Sequence, residues 1–207
     1  MIIEGTEVGQ LSTNCYFAGD ARELFVIDPG DEAQLLYDEI TKSNYSVKYI
    51  LLTHCHFDHC GAAQELSRLT GAPIAVYAGE AKSYTSPGVN LSATFGVTEP
   101  LPAPDILLHD GERISSGKYE FTVIHTPGHT EGSICFLCGR ALFGGDTLFY
   151  MSYGRCDLPT GDFNKIKSSI NKRIFPLGDN ITVYPGHGRS TTIGFEKRYN
   201  ELSEVSG

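Results

Sequence analysis

Apolar and polar positions divide this chain into short alternating segments. Apolar or β-branched runs at 2–3, 14–18, 24–27, 48–52 and 74–77 predict strands, and amphipathic stretches at 32–43, 61–70 and 79–85 predict helices. A second series follows, with strands at 121–125, 133–137, 140–143 and 181–184 and helices at 163–174 and 195–202. Between the two series, Pro87, Pro100, Pro102 and Pro104 break the periodicity over 86–104, a long irregular excursion suited to a lid. The helices are too few and too late for a doubly wound sheet. The pattern therefore predicts an α/β protein with two sheets packed face to face and helices on both outer faces. No repeat of solenoid length interrupts it.

The bulk numbers narrow the class. A length of 207 residues suits one domain over 1–207, its similar halves falling at about 1–110 and 111–207. The formal charge of −9, with 16 scattered basic residues, argues against nucleic acid or an anionic membrane as partner. The opening Met1-Ile2-Ile3-Glu4-Gly5 lacks a basic region leading into an apolar one, which predicts a cytoplasmic location. Six cysteines fit reduced thiols, and the odd spacing of Cys135 and Cys138 within one strand sends them to opposite faces rather than to a shared site. The stretch 203–207 is expected to be disordered. Oligomeric state is left open.

The candidate chemistry is concentrated in T-H-C-H-F-D-H-C-G, residues 53–61, directly after the apolar run 49–52. In extended backbone His54 and His56 project to one side, while Asp58 and His59 follow in the next turn and can face a second point. One loop can thus serve two metal ions. The nitrogen-rich donor set suits zinc, iron, manganese or cobalt rather than calcium or magnesium. Three further donors each sit where a strand ends in a glycine-rich turn: His129 in T-P-G-H-T-E-G-S, Asp146 in F-G-G-D-T and His187 in Y-P-G-H-G. Glycine permits the sharp turn and close approach that such a site needs.

In this order and context the residues resemble the metallo-β-lactamase superfamily, with its H-x-H-x-D-H motif followed by separate His, Asp and His ligands. The resemblance covers essentially the whole chain and implies a four-layer αββα sandwich of two similar halves. It implies that His54, His56 and His129 hold one metal, that Asp58, His59 and His187 hold the other, and that Asp146 bridges them. Zinc is the expected metal, with iron or manganese as alternatives. Zinc β-lactamases commonly carry cysteine at the position of Asp146, which points away from that activity. The segment around Gly145 to Phe149 and Gly154-Arg155 to Pro159 looks most like the short glyoxalase II-like hydrolases, similar to hydroxyacylglutathione hydrolases. Persulfide dioxygenases share part of it. Long glyoxalase II enzymes add a C-terminal helical extension with glutathione contacts, and only twenty residues follow His187 here.

The resemblance implies hydrolysis of a small thioester or related ester by hydroxide held between two metal ions. The alternative is a mononuclear iron oxidoreductase acting on a persulfide. Asp58 carries two expected duties, as metal ligand and as the catalytic acceptor that orients the attacking group. His125 reads as a packed strand residue, His109 as a turn residue, and Asp28 in V-I-D-P-G as a turn residue that, by the resemblance, buttresses the metal loops. Arg155 and Asp157 are expected to pair, and Tyr150 and Tyr153 are candidates for the pocket wall. Specificity is assigned to 86–104 and 149–159.

Overall fold

The computed structural model describes residues 1–204. Fourteen strands and six α-helices are present among them. The first sheet runs in sequence order: β1 (Ile2–Val8), β2 (Thr13–Gly19), β3 (Leu24–Ile27), β4 (Val47–Leu51), β5 (Ile74–Tyr77) and β6 (Ile106–Leu108). It opens with antiparallel pairs and becomes parallel from β3 onward. Helices α1 (Ala33–Lys42), α2 (Phe57–Cys60), α3 (Ala63–Thr70) and α4 (Ala81–Tyr84) lie between these strands.

The second sheet comprises β7 (Arg113–Ser116), β8 (Tyr119–His125), β9 (Ile134–Cys138), β10 (Ala141–Gly145), β13 (Thr182–Pro185) and β14 (Thr191–Thr192). A hairpin of β11 (Leu148–Phe149) and β12 (Ser152–Tyr153) stands apart from it, followed by α5 (Phe163–Ser169) and α6 (Ile193–Tyr199).

Side-chain parity explains why the strands read as continuous apolar runs: both faces are buried. Leu24, Val26, Ile50, Leu52, Ile74 and Val76 pack outward with Leu36 and Ile40 of α1 and Leu66 of α3. Phe25, Ile27, Leu51 and Ala75 point inward to meet Phe121, Val123, Ile134, Phe136 and Phe143 of the second sheet. Phe25 and Phe121 cross edge to face at 5.0 Å between ring centroids. The alternate positions along the second-sheet strands, Ile124, Cys135 and Leu142, turn outward to Ile166, Ile170 and Ile193. Four layers result, as expected, and Cys135 and Cys138 fall on opposite faces.

Several boundaries differ from expectation for local reasons. The helix expected over 61–70 is present as α3, starting at Ala63, and the separate turn α2 over Phe57–Cys60 was not foreseen. The helix over 163–174 leaves α geometry after Ser169 for a wider turn at Ile170–Ile174. The short strands β6, β7, β11, β12 and β14 lacked an apolar run long enough to signal them. Of the tail expected to be disordered, Ser203 Oγ donates to the Lys197 carbonyl and the Glu204 amide donates to Asn171 Oδ1. Residues 205–207 lie outside the described residues. No described helix is long and apolar enough to cross a membrane.

The two sheets are stitched together at one edge. The Ile134 amide donates to the Thr53 carbonyl, and the Asn14 amide donates to the Gly186 carbonyl. Asn14 Nδ2 also reaches the carbonyls of Pro185 and Gly188, while Tyr16 donates to Pro185. That edge is where β4, β8, β10 and β13 all end.

Candidate metal centre

Each strand end delivers part of one cluster. His54 follows β4, His56 caps the short α2 that carries Asp58 and His59, His129 follows β8, Asp146 follows β10 and His187 follows β13. The structure brings all seven expected site residues together. Three overlapping groups hold their donor atoms within 4.8 Å of one another: His54, His56 and His129; His54, His59 and Asp146; Asp58, His59 and His187.

Hydrogen bonds on the far side of each ring fix which nitrogen faces inward. His129 Nδ1 donates to the Arg155 carbonyl at 2.7 Å and His187 Nδ1 to the Leu11 carbonyl at 3.1 Å. His59 Nδ1 donates to Asp28 Oδ2 at 3.0 Å. Thr53 gives its hydroxyl proton to Asp28 Oδ2, so its oxygen accepts from His54 Nδ1 at 3.1 Å. In neutral imidazoles the Nε2 atoms of these four rings are then bare lone pairs. His56 is turned the other way, with Nδ1 2.9 Å from His129 Nε2 and Nε2 buried without a partner.

Bare donors crowd each other in this arrangement. His54 and His129 bring Nε2 atoms to 3.2 Å, and His59 and His187 to 3.3 Å. Asp146 Oδ1, buried without a hydrogen bond, lies 3.2 Å from His59 Nε2. Asp58 Oδ2 lies 3.2 Å from His187 Nε2 and accepts a long bond from the Thr13 hydroxyl at 3.4 Å. Lone pairs at such separations repel unless positive charge lies among them. A divalent cation with imidazole and carboxylate donors satisfies this set.

Burial and the neighbouring imidazoles push His54 well below its usual range, and the same causes, led by burial and His129, lower His56 to about 3. His59 is the opposite case. Its burial alone would lower it, but Asp146, Asp58 and Asp28 outweigh that and hold it well above the usual value. Against its own burial, Asp146 is held below the carboxylate range by His59 and His129.

Close packing at the centre requires glycine. A Cβ on Gly186 would lie 2.2 Å from Asp146 Oδ1 and 2.5 Å from His59 Cε1, and one on Gly30 would lie 1.6 Å from the Asp58 carbonyl.

A model of the metallo-β-lactamase superfamily matches residues 8–187, spanning every donor named above. The chain belongs to that superfamily. A curated relative, the hydroxyacylglutathione hydrolase GloC of Haemophilus influenzae, is 37% identical over 209 residues, covering 97% of each chain. Among solved structures, BLEG-1, named as a B3 metallo-β-lactamase, superposes with a TM-score of 0.92 at 33% identity, covering 98% of this chain and 100% of that one. TTHA1623 in a di-iron-bound form gives a TM-score of 0.85 at 35% identity, covering 96% and 99%. The sandwich and its helical faces are those of the superfamily.

The remaining expectations fall as follows. His125 packs against Tyr77, its Nε2 meets the Glu131 carbonyl, and it takes no part in the cluster. His109 sits outside the cluster, its amide donating to Glu112. Arg155 and Asp157 form a two-pronged ion pair with both contacts at 2.7 Å. Tyr153 lines the cavity over the cluster, whereas Tyr150 stacks on Phe195 and receives Arg189 on its face. Asp28 buttresses the metal loop through both oxygens.

Sequence reasoning passed over Thr53, Leu11 and Glu80. Glu80 is 1% exposed, and its Oε1 accepts the Cys55 amide, between His54 and His56, at 2.9 Å. A lone glutamate in A-G-E-A gives no sign of this.

Proposed function

We propose that the chain is a binuclear metal-dependent hydrolase of thioesters or related esters, glyoxalase II-like in its chemistry. Two divalent ions, zinc first and iron or manganese as alternatives, would be held by His54, His56 and His129 on one side and by Asp58, His59 and His187 on the other, with Asp146 serving both. The observation carrying the reading is the convergence of two donor trios, each with its ligand atoms within 4.8 Å of one another. Ions bound there supply Lewis acidity and bring the pKa of water toward ~7.

The chain's own groups do the rest. Asp58, at the cavity floor, accepts a hydrogen bond from the attacking water and orients it toward the substrate carbonyl. The water oxygen bonds to that carbon, the carbon–sulfur bond breaks, and the electron pair leaves on sulfur. A thiolate is a stable leaving group, so no separate proton donor is needed. The relative named a hydroxyacylglutathione hydrolase supports the thioester class.

Metal content and hydrolysis measured on one preparation test the reading. Two ions per chain with thioester turnover, lost in His56→Ala while the circular dichroism spectrum is retained, is the expected result; turnover retained in that variant would sink it. A persulfide oxidoreductase with one iron needs only one trio. Oxygen uptake on a persulfide would favour it, and opening of a β-lactam ring is measured alongside because BLEG-1 bears that name.

A further inference from the structure

The cavity above the donor cluster has a volume of about 660 Å³, and His56, Asp58, His129, Asp146 and His187 form part of its lining. Much of the remaining wall is apolar, with Leu11, Leu91, Phe95, Phe149 and Leu158. Leu11 and Phe95 are 54% and 44% exposed, surface that an apolar ligand would remove from water. Arg155 is the single Lys or Arg in the lining, and its guanidinium is already gripped at both prongs by Asp157. A substrate carboxylate thus meets no uncommitted cationic side chain on this wall. Of the hydroxyls, that of Thr94 donates to the Leu91 carbonyl at 2.6 Å, leaving Ser152 and Tyr153.

Leu91 is held in the wall at a conformational cost. Its φ of 66° is left-handed, where a bulky L residue is disfavoured relative to glycine or asparagine. The neighbouring Asn90 is fully buried and locks the turn: its Nδ2 donates to the Tyr84 carbonyl, its Oδ1 accepts the Ser92 amide, and its carbonyl accepts the Phe57 amide at the start of α2. Residues held in such conformations cluster at active sites and ligand clamps.

From the apolar wall, the committed cation and the strained Leu91, resting on the hydrolase reading above, we propose that the substrate's acyl group is an uncharged apolar chain of several carbons seated against Leu91, Phe95 and Leu11. Hydrolysis of such a thioester consumes one water and yields a carboxylate, a free thiol and a proton. The specificity site lies in the two turns that carry Leu11 and Leu91 to Phe95.

The test compares S-hexanoyl- and S-lactoyl-N-acetylcysteamine, which share one neutral thiol, on metal-loaded protein. The hexanoyl ester is expected to have a kcat/KM at least about tenfold higher, as the burial of a few methylenes gives. Leu91→Asn, which suits the left-handed backbone, and Phe95→Ser, on the surface, are each expected to bring the ratio toward one through KM. Equal rates, a preference for the lactoyl ester, or a ratio unmoved in both variants would overturn the acyl assignment while leaving the hydrolase standing. Turnover of neither ester by protein carrying two ions would remove the hydrolase reading itself, and this inference with it.

Discussion

Asp28 Oδ2 accepts both the Thr53 hydroxyl, at 2.6 Å, and His59 Nδ1, at 3.0 Å. Through Thr53 it also sets the ring of His54, so one buried carboxylate aims two of the inward nitrogens. Its own backbone is left-handed, with φ 53°, a conformation asparagine and aspartate tolerate best. Asp28→Ala is therefore expected to weaken metal affinity by roughly 10–100-fold. Competition against a chelator of known affinity checks this, with Asp28→Asn recovering part of the loss because its amide oxygen still accepts.

Glu80 acts on the same loop from the opposite side. Removing it in Glu80→Ala leaves the Cys55 amide buried without an acceptor, at a cost of about 1–3 kcal/mol. Glu80→Gln keeps an acceptor and is expected to stay near wild type in both denaturant midpoint and metal content. If the two variants behave alike, the bond to Cys55 is not what matters.

Gly186→Ala is expected to fold and yet bind metal poorly. The added methyl would stand 2.2 Å from Asp146 Oδ1 and 2.5 Å from the His59 ring. Neither group can withdraw without leaving the cluster. Elemental analysis should find a deficit of at least one ion per chain, with activity down by more than ~100-fold.

Stability should fall in strong alkali. Burial, reinforced by Asp28, pushes Tyr16 well above the usual phenol range, and burial does the same to Tyr84. Above pH ~10 the unfolded tyrosines lose their protons while the folded ones keep them, so unfolding releases protons and becomes easier as pH rises further. Each contributes a slope of up to ~1.4 kcal/mol per pH unit in that window. Tyr16→Phe loses the bond to the Pro185 carbonyl, about 1 kcal/mol, and should flatten the alkaline limb seen in denaturant melts at pH 10 to 12.

The donor set was legible because metal chemistry constrains residue type and spacing in a single stretch, 54–59, and because His129, Asp146 and His187 each sit in a glycine turn. The layers were legible because both faces of the inner strands are buried, which leaves long apolar runs. What escaped was carried by single polar residues acting over distance: Thr53 answers to Asp28, 25 positions away, and Glu80 to Cys55, 25 away. Neither pairing has a local pattern. Leu91 escaped for another reason, since its left-handed turn is imposed by Asn90, Tyr84 and Phe57 together rather than by a glycine.

The seam between the sheets has a consequence for how the molecule is made. His54, His56, Asp58 and His59 come from the chain before residue 108, and His129, Asp146 and His187 from the chain after 113. Neither portion holds a complete cage. An ion held by any of the three donor groups therefore requires the two portions to have met, as Thr13 does with His187 and Thr53 with Ile134. Once captured, the ion shifts the balance against unfolding by mass action. A cell short of metal would hold this protein as a shorter-lived species, with its turnover by proteases tracking metal supply.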